Sequence, residues 1–305
     1  MRRARAIRTL AAAILVAALS ACGPEPEPRM GPAVRRDQIR PTDGNGWNGN
    51  GYGAGVTVEH WDSPGGKFRI HYTESGQHAV PLADANADKV PDFVQTFGKT
   101  FDTVYDKEVT KLGFRPPLDD SKYHDRPDYG GDGRFDVYLQ NAAAGADGYV
   151  VVEACKPSPS YQCAGYMVVE NDFVGFSYKT PEDGMQVLSS HEFFHAIQNA
   201  YRVGVASTFT EATAVWATEQ VFPAQDDFEK FLPAYFAATH RSLDHELGNP
   251  TDAFPYALCI WAEFLGQRHG VKVLPAIWDE LGEKGSATRD LDAIDVVLKR
   301  DHQSS

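Results

Sequence analysis

"TPEDGMQVLSSHEFFHAIQNAYRVG", residues 180–204, is the stretch on which the reading of this chain turns. Its first four residues form a helix start. Thr180 can cap free backbone amides, Pro181 fits the first turn, and Glu182 and Asp183 suit the positive end of the helix dipole. Gly204 is the matching stop, so one helix is predicted to run to about Val203. On it, His191 and His195 stand four residues apart and about 40° apart in azimuth. Both imidazoles can therefore reach one ion at about 2.0–2.1 Å. Glu192 leans off that line and can hold the ion's water without being a ligand, which is the mechanical content of H-E-x-x-H spacing. A chance match in a chain this long arises about once in a hundred sequences, and chance does not require that it fall on a helix.

A catalytic zinc site needs a third protein ligand and an open position. One pattern places a glycine three residues after the second histidine and a third histidine six after it. Gln198 and Tyr201 occupy those places, so that pattern fails. A second helix is expected from near Thr210 to before Pro223. Folded back antiparallel through "GVASTFT", it returns Glu211, in "TFTEATAVWATEQ", to the side of His195. A first-turn acid is also what a helix dipole favours, so Glu211 has a ligand reading and a plain one. Glu219 is the fallback, and His240 and His245 are weaker candidates.

Upstream of this helix the period changes. "GVTVEHW" and "KFRIHYTE" alternate around Pro-Gly-Gly and read as a strand hairpin. "VPDFVQTFGKTFDTVYDKEVTKLGF" has helical spacing at Phe93, Phe97, Phe101, Val104, Tyr105 and Val109, with Gly113 as its stop. "RFDVYLQN" and "GYMVVEN" read as strands. Downstream, helices are expected at about 226–238, 253–268, 271–281 and 288–300. Strands come first and helices after. The expected class is α+β, without alternating βαβ units, with a β-rich part (57–178) packed on a helical part (179–305) that bears the histidines.

The N-terminus reads differently. Arg2, Arg3, Arg5 and Arg8 precede an apolar run, Leu10–Leu19, and then Ser20-Ala21-Cys22. Residues 1–21 thus have the layout of a secretory signal, too short to span a membrane. The small residues before Cys22 resemble the bacterial lipoprotein signal, in which the cysteine is acylated. The expected location is an exported, cell-envelope lipoprotein or a secreted protein. The removed segment holds four arginines and no acids, so the remainder is four charges more negative than the −13 of the whole chain. Such a surface argues against nucleic acid as a partner. Residues 22–56, rich in Gly, Pro and Asn, read as a flexible tether. Residues 57–305 are then one domain of about 250 residues, enough for a sizeable core. Cys155 and Cys163 close a short loop, "CKPSPSYQC", expected to be a disulfide, and Cys259 reads as a buried thiol.

"HEFFHAIQ" followed by "FTEATAVW" on the next helix resembles the gluzincin arrangement of zinc metallopeptidases. More narrowly, the chain resembles a group of secreted bacterial metalloproteases. In that group a "DxNxDxVPDFV" stretch and a "GGDGRFDVYL" stretch precede the zinc helix. Both occur here, at Asp84–Val94 and Gly130–Leu139, and "NDFVGF", Asn171–Phe176, also fits. The resemblance covers roughly residues 57–265 and implies a zincin-like fold. It implies that His191, His195 and Glu211 bind zinc and that Glu192 is the general base and acid in peptide-bond hydrolysis. Thermolysin-like relatives carry an acid four residues after the ligand glutamate. Here Val215 stands there, so the partner that orients a histidine must come from elsewhere. Ala212 stands where many relatives carry glycine. Tyr256 is the candidate donor to the tetrahedral oxyanion, against a plain reading as a half-buried core tyrosine.

Asp84, Asn86, Asp88 and Asp92 alternate as calcium ligands do, although Lys89 and Gln95 replace the glycine and glutamate of a full hand-type loop. Asp128, Asp132 and Asp136 form a second acidic loop. Each is read either as a calcium site bracing the sheet or as a solvated turn. Two function classes stand at this point, above a third in which the chain is a zinc-free, calcium-braced adhesin and the histidines are incidental. One is a zinc endopeptidase acting on polypeptide and held at a membrane through Cys22. The other is a non-enzymatic surface lipoprotein that uses a zincin scaffold for binding. Glu192 favours the first, because a binding protein needs no base beside its metal.

Overall fold

The computed structural model describes residues 40–43, 46, 49, 51–123, 129–142, 147–244, 252–284 and 290–304. The expected leader, Cys22, most of the tether, Asp128 and His245 lie outside those residues.

The fold is α+β: the described residues form a five-stranded sheet in the N-terminal half and seven α-helices in the C-terminal half. The strands are β1 (Glu59–Asp62), β2 (Phe68–Tyr72), β3 (Phe135–Gln140), β4 (Gly148–Cys155) and β5 (Cys163–Glu170), in the order β1-β2-β3-β5-β4. β1 and β2 form the expected antiparallel hairpin. β2–β3 and β3–β5 are parallel. Helix α1 (Asp92–Tyr105) therefore lies in one β-α-β crossover, a unit the order of elements had not suggested. α1 runs on into a π-helical turn, Asp106–Lys111, before Gly113 stops it with φ +85°. β4 was not read from the sequence. It is an edge strand, antiparallel to β5 and tied to it at the far end by the Cys155–Cys163 disulfide.

Helix α2 (Pro181–Tyr201) starts as expected. Thr180 accepts from the Asp183 amide, and the Asp183 side chain closes the reciprocal capping box, an arrangement worth about 1 kcal/mol. Sixteen of its 21 residues are buried, so α2 is a central helix rather than an amphipathic surface one. The two residues inside the H-E-x-x-H motif explain its orientation. Phe193 packs on Phe68 and Phe135 of the sheet, with ring centroids 5.0 and 5.6 Å away, and Phe194 packs on Phe114 at 4.8 Å. Burying each phenyl contributes roughly 1.5–3 kcal/mol, and it turns the histidines away from the sheet.

The remaining helices are α3 (Ser207–Val221), α4 (Leu232–Ala237), α5 (Phe254–Ala257), α6 (Cys259–His269), α7 (Val273–Lys284) and α8 (Asp290–His302). Two expected helices are broken. The first divides into a 3-10 turn, Asp227–Phe231, and α4, with Pro233 in the first turn of α4. The second breaks between α5 and α6 at Leu258. One core runs from Phe68 of the sheet to Leu298 of α8, so the β-rich and helical parts share their interior. Cys259 is a buried free thiol.

The tether reading needs correction at its C-terminal end. Tyr52 is buried with Tyr138, Val151, Tyr166 and Val168 on the second face of the sheet, and Val56 and Val58 pack beside them. Arg40 is fully buried. Its guanidinium bonds Glu153 at 2.9 and 2.8 Å, Asp136 at 2.5 Å, and Asp120. His71 Nε2 reaches the other Asp136 oxygen at 2.7 Å. A sequence poor in periodic apolar residues thus supplies the sheet's outer layer through one arginine and a few aromatic and aliphatic anchors.

Candidate metal centre

Helices α2 and α3 pack against each other, and the side chains expected to share an ion converge. His191 Nε2 lies 3.1 Å from Glu211 Oε2. His195 Nε2 lies 3.2 Å from His191 Nε2 and 3.6 Å from Glu211 Oε2. An ion 2.0–2.1 Å from each of three tetrahedral ligands separates them by about 3.3–3.4 Å. The triangle formed by these three atoms has that size. All three residues are buried. Burial alone would raise the Glu211 pKa, but His195 and His191 beside it hold it at about 2, so the carboxylate is an anion facing the two rings. The donor set, two imidazoles and one carboxylate, is the borderline nitrogen and oxygen set that suits zinc.

Glu192 is 2% exposed and brings a carboxylate oxygen to within 4.8 Å of ligand atoms on both histidines. It borders β4, whose Gly148 leaves room for it. Next to Gly148, Asp147 is buried, and its carboxylate accepts from the Tyr178 hydroxyl. Burial pushes Asp147 up to about 8, with the charge of Glu192 adding to the effect and the Tyr178 bond opposing it. Tyr256 belongs to α5, with its ring stacked on His191 at 6.0 Å and 18° and on Phe231 at 5.1 Å. A pocket beside the histidines is lined by Tyr178, Leu188, His191, Val215, Phe231 and Tyr256.

Gln198, which in sequence only marked a missing glycine, binds His195. Its Oε1 is 2.8 Å from His195 Nδ1, and its Nε2 donates to the Thr210 carbonyl at 2.9 Å. Its position three residues after the histidine was the available signal, because i and i+3 share a helix face. Asp147, Gly148 and Tyr178 had no such signal, since the strand that bears Gly148 was itself unread.

The other candidates stand apart. Glu219 accepts from the Phe228 amide at 3.4 Å, and burial pushes it up to about 7. His240 is exposed. In the first acidic loop, Asp84 accepts from the amides of Asp88 and Lys89, Asp88 from Val90, and Asp92 from Ala85. Asn86 donates to Asp88 at 3.0 Å. Lys89 takes φ +72°, the left-handed conformation a glycine would favour. Among the described residues, these carboxylates do not form a group of three with ligand atoms within 4.8 Å of one another. In the second loop, Asp136 is committed to Arg40 and His71, and Asp132 to Arg69 and Arg134.

Residues 173–292 are similar to a family of unknown function, DUF6055. That span holds both histidines, Glu192, Glu211 and Tyr256 and begins after the last strand of the sheet. No curated protein and no solved structure matches the chain.

Proposed function

We propose that this chain is a zinc-dependent peptidase of gluzincin type, cleaving within polypeptide chains. The observation that carries the reading is the triangle of His191 Nε2, His195 Nε2 and Glu211 Oε2, with edges of 3.1, 3.2 and 3.6 Å, beside a buried Glu192. A divalent ion held there by His191, His195 and Glu211 would polarise a substrate carbonyl and bring the pKa of a bound water toward 7.

The chain's own groups would do the rest. Glu192 would take the water's proton and return it to the leaving amine. Burial strengthens each electrostatic contact of that carboxylate. Val215, Leu188 and Phe231 line the pocket beside His191 together with Asp227 and Lys230, and Tyr256 stands there as the candidate donor to the oxyanion. The expected setting is the cell envelope, with the chain held through a lipid on Cys22. Among the described residues, no helix is long and apolar enough to cross a membrane.

The test is zinc content together with cleavage of an unfolded protein substrate. Wild type is expected to carry about one zinc per chain and to cleave. Glu192→Ala is expected to keep the metal and lose cleavage. Full activity in that variant would disprove the role of Glu192. Metal uptake without cleavage by the wild type would move the reading to the binding protein.

A further inference from the structure

We infer that Gln198 is a positioning residue: it fixes the tautomer and aim of His195 and thereby sets the affinity of the site for its cation. The inference rests on the metal reading above and assigns to this side chain the task that Val215 cannot perform.

The argument is one of donors and acceptors. Gln198 is 3% exposed and lies between the two helices that supply the ligands. One end of its amide is 2.9 Å from the Thr210 carbonyl and 3.1 Å from Thr213 Oγ1. A backbone carbonyl only accepts, so that end is the nitrogen. The Thr213 hydroxyl gives its own proton to the Phe209 carbonyl at 2.9 Å and is left as an acceptor for the second amide hydrogen. The other end of the amide is then the oxygen, 2.8 Å from His195 Nδ1. An oxygen in that place requires the proton on Nδ1. A neutral imidazole has only one, so His195 Nε2 keeps its lone pair.

That lone pair lies 3.2 Å from His191 Nε2 and 3.6 Å from Glu211 Oε2. His195 Nε2 is thus held with its lone pair toward the place where His191 Nε2 and Glu211 Oε2 also converge, as a ligand to a shared cation requires. The same amide also ties α2 to α3, so a single side chain governs both the direction of one ligand and the spacing to another. Such outer partners of a ligating histidine are worth about 10–100-fold in metal affinity.

Two measurements on the full chain test this. In metal-free protein, long-range proton–nitrogen correlation spectra report which nitrogen of His195 is protonated, with assignment by His195→Asn. Competition with a chromogenic chelator gives the zinc affinity. Wild type is expected to show the Nδ1–H tautomer. Gln198→Leu is expected to lose that preference and to bind zinc about 10–100-fold more weakly. Gln198→Glu, which keeps an acceptor, is expected to retain the tautomer and most of the affinity. A merely structural role predicts loss of folding stability in both variants with the tautomer unmoved.

Nε2–H on His195 in the wild type overturns the inference, even if the leucine variant does not fold. So does a folded leucine variant with unchanged tautomer and affinity. A wild type that shows Nδ1–H yet takes up no zinc overturns the metal reading instead, and with it the role of Gln198 in affinity.

Discussion

A β-carbon built on Gly148 would stand 3.2 Å from Cγ of Glu192, and 3.3 and 3.4 Å from Val169 and Leu188. The edge strand thus passes so close to the proposed base that even one methyl group presses on it. Gly148→Ala is expected to displace the carboxylate by a few tenths of an ångström. Cleavage should fall by about tenfold, since catalytic alignment is sensitive on that scale. Zinc content should stay unchanged, because Gly148 touches no proposed ligand. An alanine variant with wild-type kcat would remove the strand from the catalytic argument.

Glu211 is the proposed ligand from the second helix, and its removal separates a metal site from a pair of packed histidines. Glu211→Gln keeps the shape and removes the charge. We expect zinc affinity to drop on the order of 10²-fold or more. The thermal stabilisation that zinc gives the wild type should shrink in step, because a ligand bound to the native state stabilises it by mass action. Equal zinc-induced shifts in the two proteins would place the metal elsewhere.

Arg40 stands in contact with three carboxylates inside the outer layer of the sheet. Replacing it with methionine leaves those acids buried without their cation. The expected cost is about 3–5 kcal/mol, a drop in Tm of roughly 10 °C for a domain this large. An unchanged melting curve would return residues 40–56 to the tether.

Asp120 gives the same cluster a pH dependence. Burial, reinforced by Asp136 and Glu153, pushes Asp120 up to about 7 against the opposing pull of Arg40. Its unfolded value is about 3.9. Between these values the folded chain holds a proton that the unfolded chain has released. Stability is therefore lost as pH rises from about 4 to 7 and is level above. Asp120→Asn lacks that loss, so its stability relative to wild type should rise by about 1–3 kcal/mol between pH 5 and pH 8. A constant difference in Tm across that range would show that the carboxyl does not carry the proton.

The locally encoded parts of this molecule were readable before any coordinates. His191 and His195 share a face because four residues make about one turn, and that relation needs no tertiary contact. Thr180 marks the start of their helix because its capping bonds close within three residues, whereas the helix ends at Tyr201, with Arg202 extended, short of the expected stop at Gly204. Glu211 was reachable because a short loop leaves few ways to fold α3 back on α2. Gln198 was in plain view, yet its role depends on the Thr210 carbonyl of the other helix.

What only the tertiary structure decided lies at long range. Arg40 meets Asp136 96 residues away and Glu153 113 residues away. A buried ion pair leaves no period in a sequence, so a segment rich in glycine and proline read as a tether when its last part is a packed layer. Strand β4 and the parallel pairing of β2, β3 and β5 were likewise hidden. Hydrogen-bond partners in a sheet are chosen by whole surfaces meeting, whereas a helix completes its bonds within itself. The proposed ligands are thus a statement of the chain's local chemistry, and the close approach of Gly148 to Glu192 is a statement of how distant segments pack.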